Sequence, residues 1–188
     1  MIDERPHYIC IGADGNPGGD MYEHLEFLRS VGTGSVLEIG VRDGVSTAAF
    51  LLSNAEHVYS VDINPACGEL FKGNPKWTFI HNDSKNAASV KAQLPDKLDV
   101  LFVDGDHTYE GLTSDLRNYF MLVKEGGLIL AHDVAQQVPV RPEHWGDWPG
   151  PYTSKAWNDF LAKTGLWRTA TILPGKFGMG VAQLGETI

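Results

Sequence analysis

Residues 35–47 read SVLEIGVRDGVST, an apolar run that leads into a turn with two glycines and then into two hydroxyl residues. The apolar run predicts a buried strand over Ser35–Ile39. Gly40 and Gly44 permit a tight turn and close approach of a ligand to the backbone, and Ser46 and Thr47 open the next predicted helix. Ligands of open α/β sheets bind beyond the carboxyl ends of the strands. The segment therefore predicts a turn that faces a ligand.

Similar apolar runs recur along the chain and alternate with helix-like segments. The clearest predicted helix carries an apolar stripe from Tyr109 to Val123. Two further strand-like segments flank Pro174-Gly175-Lys176 and predict a hairpin. This alternation is typical of a parallel sheet with helices on both faces, to which the hairpin adds an antiparallel end. Besides Ser35–Ile39, the predicted strands are His57–Val61, Trp77–Ile80, Leu98–Val103, Gly127–Ala131, Trp167–Leu173 and Phe177–Leu184.

The 188 residues are the size of one domain, and no Pro-, Gly- or Ser-rich linker divides them. We expect an N-terminal loop and helix over 1–34 and a cofactor-binding βα core over 35–134. A Trp- and Pro-rich substrate loop is expected over 135–153, followed by a helix and the terminal hairpin over 154–188. Long ordered loops often carry function, which is why the third segment is of interest.

The net charge of −9 disfavours binding to nucleic acid, which requires a basic surface. No apolar run approaches the roughly 18–20 residues that cross a bilayer, and the N-terminus lacks the order of charges and apolar residues of a signal peptide. We therefore expect a cytoplasmic protein that acts on a small molecule, with neither nucleic acid nor a membrane as partner.

Polar residues follow the second and third predicted strands. Asp62 lies 22 residues after Gly40, about where a carboxylate reaches the ribose hydroxyls in a Rossmann-like domain, although it could instead cap a short helix. After the third strand, Asp83 or Ser84 could cap a helix or equally face an adenine edge. The strand ends thus indicate a nucleoside-like ligand.

Asp104 and His107 follow the fourth predicted strand, and His132 and Asp133 follow the fifth. Clustered carboxylates repel one another unless a cation intervenes, so this set predicts either a divalent metal or a proton-transfer role. The oxygen donors suit Mg²⁺ or Mn²⁺, whereas imidazole would also suit iron or zinc. In the alternative interpretation, Asp106 caps the next helix and the His132-Asp133 pair only bonds a loop.

Two common nucleotide-binding motifs are absent or incomplete. The turn after the first strand has Arg42 where the middle glycine of G-x-G-x-x-G would stand, which weakens the prediction of a nicotinamide cofactor. The chain has no G-x-x-x-x-G-K-[ST] phosphate-binding loop. Four aromatic residues in or beside the substrate loop could form the wall of a ligand site or pack on their own domain: Trp145, Trp148, Tyr152 and Trp157.

The ordered series Glu38-x-Gly40-x-x-x-Gly44, Asp62, the Asp83 region and Lys124-Glu-Gly-Gly127 resembles class I S-adenosylmethionine-dependent methyltransferases. The resemblance implies a Rossmann-like, doubly wound, three-layer α/β/α fold whose seven-stranded, mostly parallel sheet ends in an antiparallel hairpin. It also implies that S-adenosylmethionine is the cofactor and that the residues around it are Glu38, Gly40, Val41, Arg42, Gly44, Ser46, Thr47, Asp62, Ile63, Asp83, Ser84, Asp104 and Gly105.

Residues 103–110 and 131–134 are similar, more narrowly, to metal-dependent O-methyltransferases of the catechol and antibiotic-sugar type. Asp104 and Asp133 match the metal-ligand positions of that group, and His132 stands where those relatives have Asp or Glu. The implied metal set is Asp104, His132 and Asp133, with Mg²⁺ or another divalent cation. His107 matches the catalytic base, so Asp104 and His107 are the expected catalytic residues, and the acceptor would be a hydroxyl of a sugar, phenol or similar molecule.

Three alternatives remain open at the level of sequence. The chain could be a binding or interaction domain with a methyltransferase fold and no methyl transfer. It could be a nicotinamide-dependent oxidoreductase, which Arg42 and the missing third glycine disfavour. Hydroxylase-like relatives on the same scaffold are the third possibility.

Overall fold

A computed structural model describes residues 19–135, 152–175 and 177–185. Its centre is a seven-stranded sheet with the strand order β3-β2-β1-β4-β5-β7-β6. The first five strands pair in parallel, and β7 runs antiparallel to both β5 and β6. The strands are β1 (Thr33–Ile39), β2 (Asn54–Asp62), β3 (Trp77–His81), β4 (Leu98–Val103), β5 (Val123–His132), β6 (Trp167–Leu173) and β7 (Met179–Leu184).

Alternate residues of the central strands enter two separate apolar cores, one on each face of the sheet, because side chains along a strand point to opposite sides. Five helices supply the other side of these cores. They are α1 (Leu25–Val31), α2 (Val45–Leu51), α3 (Ala87–Lys91), α4 (Tyr109–Tyr119) and α5 (Tyr152–Thr164). One core combines Leu37, Leu101 and Ile129 with α4 and α5, and the other combines Val36, Val100 and Leu130 with α1 and α2.

The predicted fold class, a mostly parallel seven-stranded sheet ending in an antiparallel hairpin, is confirmed. The largest differences in strand bounds are at β5, which begins at Val123 rather than Gly127, and at β2, which begins at Asn54 rather than His57. The Lys124-Glu-Gly-Gly127 segment therefore lies inside the strand. A 3₁₀ turn over Gly19–His24 precedes α1. Most of the predicted loop over 135–153, with Trp145 and Trp148, lies outside the described residues, as does nearly all of the lead-in before α1.

The order of the strands reverses direction between β1 and β4, which places a crevice at their carboxyl ends. The register sets Ile39 beside Val103, and Val103 beside Ala131. The residues that follow these three positions thus lie along one edge of the sheet, although they are far apart in sequence. None of the helices in the described ranges is both long and apolar enough to span a membrane.

A buried polar cluster lies under the turn that follows β1. Glu38 is fully buried, and its two carboxylate oxygens accept hydrogen bonds of 2.6 Å from the hydroxyls of Ser46, Thr47 and Ser60. Ser60 in turn accepts a 3.0 Å hydrogen bond from the indole of Trp77. Burial raises the pKa of Glu38 to about 7, and the three hydroxyl donors oppose that shift. The cluster joins β1 to β2 and to the start of α2.

We expect Glu38→Leu to lower the free energy of unfolding by about 2–4 kcal/mol, because three buried hydroxyls lose their acceptor. Glu38→Gln keeps an acceptor of the same shape and should cost less. Denaturant unfolding at neutral pH measures both, and equal losses would contradict a specific role for the carboxyl oxygens.

The same pair of proteins tests the raised pKa. A folded state that holds a proton more tightly than the unfolded chain loses stability as the pH rises from the ordinary value of 4.5 towards 7. We expect the unfolding free energy of the wild type to fall across this window by on the order of 1–3 kcal/mol relative to Glu38→Gln. Parallel pH profiles of the two proteins would show that Glu38 titrates normally.

Candidate functional site

The turn after β1 approaches the end of β4 so closely that only glycine fits at position 40. Gly40 has a φ of 92°, and a Cβ there would overlap the backbone carbonyl of Asp104. The Gly40 amide donates to the carbonyl of Val61, and the Asp104 amide donates to the carbonyl of Ile39. Backbone bonds thus fix the ends of β1, β2 and β4 relative to one another.

Asp62 holds the turn by its side chain. One carboxylate oxygen, Oδ2, accepts hydrogen bonds from the amides of Val41 at 2.8 Å and Arg42 at 3.2 Å. The other oxygen, Oδ1, accepts from the amide of Asn64 at 2.8 Å. The alternative that Asp62 caps a helix is wrong, because Asn64 caps the following 3₁₀ turn. Asp62 therefore adjoins the turn after β1, at the place where the sequence predicted it.

The other residues predicted around this turn fall into two groups. The side chains of Glu38, Ser46 and Thr47 bond one another beneath the turn, so they can support a ligand site there but do not face the crevice. By contrast, Ile63 and Arg42 reach solvent: Ile63 is 72% exposed, and the Arg42 side chain is 71% exposed. The Arg42 Nε lies 3.7 Å from Asp43 Oδ2. Gly44 immediately precedes α2 with a φ of 76°, and a Cβ there would meet the ring of Phe71.

The loop after β3 is held from behind by α4. Asp83 accepts a hydrogen bond from the Lys85 amide at 2.9 Å, and Asn86 rather than Asp83 or Ser84 occupies the position before α3, so neither is its cap. The Tyr119 hydroxyl donates to the carbonyl of Ser84 at 2.5 Å. Gly105, which follows β4, lies in front of the fully buried Asp115.

Asp115 is a residue that sequence analysis missed, because it lies in mid-helix on α4 with no motif around it. Burial raises its pKa to about 6. A Cβ at Gly105 would lie 3.6 Å from its Oδ2. The carboxyl therefore lies directly behind Gly105, one of the residues predicted to contact a cofactor.

The ends of β4 and β5 bring two carboxylates and two imidazoles together. His107 lies between the carboxylates, with Nε2 3.2 Å from Asp104 Oδ1 and Nδ1 3.2 Å from Asp133 Oδ2. Nδ1 of His132 lies 3.5 Å from Asp104 Oδ1 and 3.4 Å from Asp133 Oδ1. We call Asp104, His107, His132 and Asp133 the acidic–imidazole cluster. The sequence placed these four residues in one crevice, and the structure brings them together.

The charges of the cluster are mutually dependent. Burial favours the neutral form of His132, but Asp104 and Asp133 outweigh it and raise the pKa of that imidazole well above its ordinary value. The pKa of His107 is also raised, since burial is outweighed by the same two carboxylates. Burial alone would raise the pKa of Asp104, whereas the two imidazoles lower it. In the absence of another cation, the two carboxylates therefore favour the protonated form of both imidazoles.

The cluster also fits a metal ion. Donor atoms of Asp104, His107 and Asp133 lie within 4.8 Å of one another. Both carboxylate oxygens of Asp133 are buried and, among the described residues, meet the imidazoles of His107 and His132 at 3.2 and 3.4 Å without hydrogen-bond geometry, while Nε2 of His132 has no hydrogen-bond partner there. Asp133 also has a φ of 61°, which is uncommon for a residue with a side chain. This donor set differs from the one in the sequence analysis, which named His132 as the third ligand and His107 only as a base.

Two neighbours complete the surroundings of the cluster. His24, to which sequence analysis gave no role, is 2% exposed and packs edge-on against His132 with 5.5 Å between ring centroids. The Thr153 hydroxyl, on the first turn of α5, donates to the carbonyl of Asp133 at 2.5 Å. No local pattern marks His24, because only the folded chain brings it to the end of β5.

Other residues near the predicted site serve the fold. The alternative that Asp106 caps α4 is wrong, because Thr108 is the cap, while Asp106 pairs with Lys85 at 2.9 Å. Trp157 is fully buried in the core and lies against Gly180 of β7, so it forms no ligand wall. Tyr152 is 53% exposed and remains available to a ligand.

Comparisons with known proteins agree with this architecture. A family described as "Methyltransferase domain" matches residues 37–134. An uncharacterised protein of Acanthamoeba polyphaga mimivirus is 29% identical over 113 residues, which cover 52% of this chain. That match spans 50% of the viral protein, about half its length.

Several solved structures share the fold. A protein of Corynebacterium glutamicum matches with a TM-score of 0.66 at 16% identity, over 87% of this chain and 80% of that one. An O-methyltransferase of Bacillus cereus, solved with SAH (S-adenosylhomocysteine), matches with a TM-score of 0.63 at 14% identity, over 85% and 78%. MycE methyltransferase of the mycinamycin pathway, solved with Mg and SAH, matches with a TM-score of 0.62 at 16% identity, over 87% and 48%.

We expect Gly40→Ala to destabilise the chain more than Gly126→Ala does. Both glycines have positive φ, but a Cβ at Gly126 meets nothing within 4 Å. Backbone strain alone costs about 1–3 kcal/mol, and the overlap with Asp104 should add on the order of 1–3 kcal/mol more at Gly40. Denaturant unfolding compares the two variants, and equal losses would contradict a steric requirement at the turn.

Proposed function

Because the chain belongs to the methyltransferase-domain family, we propose that it transfers the methyl group of S-adenosylmethionine to a hydroxyl of a small-molecule acceptor. The observation that carries the proposal is the position of the acidic–imidazole cluster next to the turn after β1, within the residues that match the family. A site of this kind can bind a nucleoside-like cofactor and remove a proton from an acceptor a short distance away.

The residues around the turn suit the cofactor. The backbone of the turn would face the methionine part of the cofactor. Asp62, which already accepts three amide hydrogen bonds, would also accept hydrogen bonds from the ribose hydroxyls. The exposed Ile63 offers an apolar surface for the adenine, beside the Asp83 and Ser84 loop. The Bacillus cereus relative with this fold was solved with SAH, which supports the same use of the crevice.

His107 is the proposed general base. The two carboxylates that flank it, Asp104 and Asp133, orient the ring and stabilise the imidazolium that forms when it takes the acceptor proton. S-adenosylmethionine supplies a methyl group that is already activated, so holding the acceptor oxygen in line contributes much of the rate. A divalent cation held by Asp104 and Asp133 would offset their negative charge, which favours the neutral form of His107 that a base requires, and would lower the pKa of the acceptor hydroxyl.

Several features support a small neutral acceptor. The chain's charge of −9 opposes binding to nucleic acid. The cluster is only partly open, since the side chains of Asp104 and His107 are 22% and 23% exposed. A sugar or phenol hydroxyl is small enough to reach His107 at this depth.

We expect SAH at about a hundred times its dissociation constant to raise the unfolding midpoint by about 5–10 °C. Asp62→Asn should lose most of this shift, because a neutral amide has fewer acceptor positions for ribose. Glu56→Gln, an exposed change at the opposite end of β2, should keep it. No shift in the wild type would overturn the proposed function and favour the interpretation as an interaction domain.

His107→Gln should lower methyl transfer by about 10²–10⁴-fold, the usual contribution of a general base, while the SAH-induced shift remains. Radiolabelled methyl transfer to a panel of catechols and sugars measures the rate. Asp106→Asn is the matched control, because Asp106 is a nearby carboxylate that pairs with Lys85. Wild-type turnover in His107→Gln would remove His107 from the mechanism.

A further inference from the structure

We propose that Asp115 is a positioning residue through which the crevice distinguishes adenine from other purine bases. Together with Tyr119, one turn further along α4, it approaches Ser84 and fixes the loop after β3 from behind. The inference rests on the proposed function, because the base belongs to the cofactor named there. It gives a role to a buried carboxyl that the proposed mechanism does not use.

The two loops that would flank the adenine are not neighbours in the sheet. β2 and β1 lie between β3 and β4. Even so, Lys85 in the loop after β3 reaches Asp106 in the loop after β4 at 2.9 Å. These two side chains are 51% and 35% exposed, so solvent screens the ion pair and its contribution is small. Strand pairing therefore does not fix one loop relative to the other, whereas α4 lies behind both.

α4 contacts both loops from its buried side. The Tyr119 hydroxyl donates to the carbonyl of Ser84 at 2.5 Å. Residues four positions apart lie on the same face of a helix, so Asp115 faces the same loop. The Ser84 hydroxyl is close enough to its carboxyl to lower the pKa of that group. On the other side, Oδ2 of Asp115 lies 3.6 Å from the position of a Cβ on Gly105, in the loop after β4.

Asp115 is poorly compensated by its neighbours. It is fully buried, and neither carboxylate oxygen meets a donor with hydrogen-bond geometry among the described residues. Burial raises its pKa to about 6, and the charges of Asp106 and Asp83 act in the same direction. The Ser84 hydroxyl and Lys85 oppose the shift. The ionised carboxyl therefore lowers stability at neutral pH, and buried groups of this kind are typical of functional sites.

A loop that is held at two points can select a base. Adenine presents a 6-amino donor and an unprotonated N1, whereas hypoxanthine presents an oxygen and a protonated N1. Discrimination between them requires donors and acceptors that do not move to suit either base. Asp83 offers an acceptor for the amino group, and its Oδ1 already accepts from the Lys85 amide at 2.9 Å. Asp115 and Tyr119 would keep this acceptor in one place.

The test compares SAH with S-inosylhomocysteine, which differs from it only in the base, by titration calorimetry. We expect the wild type to bind SAH about tenfold or more tightly than the inosine analogue. Asp115→Asn and Tyr119→Phe should each lower this ratio by about three- to tenfold, because each weakens one contact to Ser84. Thr113→Val is the control, because Thr113 lies on α4 but faces the groove towards α5.

Two measurements without ligand separate this role from a structural one. At neutral pH, Asp115→Asn should unfold at a midpoint equal to or above that of the wild type, because it removes an ionised carboxyl whose pKa is raised to about 6. The amides of Lys85 and Asn86, which bond Asp83, should exchange hydrogen faster in Asp115→Asn and in Tyr119→Phe. A lower midpoint with unchanged exchange would assign Asp115 to the fold alone.

The outcomes keep the two proposals apart. SAH binding with an unchanged base ratio in Asp115→Asn and Tyr119→Phe would overturn this inference and leave the proposed function standing. An equal change of the ratio in Thr113→Val would also overturn it. Failure of the wild type to bind SAH would overturn the proposed function and this inference with it.

Discussion

The close approach of β1 to β4 at Gly40 is the constraint on which the candidate site depends. Because residue 40 has no side chain, the turn can pass against the carbonyl of Asp104. That contact sets the end of β4, and β4 sets the positions of Asp104 and His107. The same turn is held from the other side by Asp62 and from below by Glu38. A shift of the turn would therefore alter the cofactor crevice and the acidic–imidazole cluster together.

Two carboxyl groups near the crevice, Glu38 and Asp104, are stabilised in different ways. Glu38 lies among hydroxyl donors and favours its protonated form at mildly acidic pH. Asp104 lies among imidazoles, which favour its ionised form. The difference follows from the donors: a neutral hydroxyl stabilises a carboxylate less than a positively charged ring does. The negative charge near the reacting atoms is thus that of Asp104 at the end of β4, whereas Glu38 beneath the turn can be neutral.

The fold could be predicted from the sequence, because apolar runs of about four to eight residues bounded by turn residues mark strands locally. The order of chemistry-bearing residues was also visible, since each follows a strand that can be recognised. The direction in which each side chain points could not be predicted from the sequence. Ser46 and Thr47 turn beneath the loop towards Glu38, and Asn64 replaces Asp62 as a cap. These outcomes depend on one or two dihedral angles that no pattern records.

Contacts between distant segments were equally invisible in the sequence. His24 meets His132, and Asp115 lies behind Gly105, only because the helices pack on the sheet. The exchange of His132 for His107 in the grouped donor set has the same origin. His107 follows Asp104 in the sequence, and His132 directly precedes Asp133. The loop before α4 places the ring of His107 between the two carboxylates. Spacing restricts such a set to a few candidates, and tertiary packing selects among them.

The position of β7 between β5 and β6 has a consequence for synthesis of the chain. Leu128 pairs with Gln183, so the outer edge of β5 has no partner until the last described strand has left the ribosome. At roughly 5–20 residues per second, a nascent chain spends several seconds with this apolar edge open. Exposed strand edges are templates for pairing with other chains. The topology that completes the sheet thus makes early release or truncation before residue 179 a route to aggregation, even though the residues around the crevice would already be present.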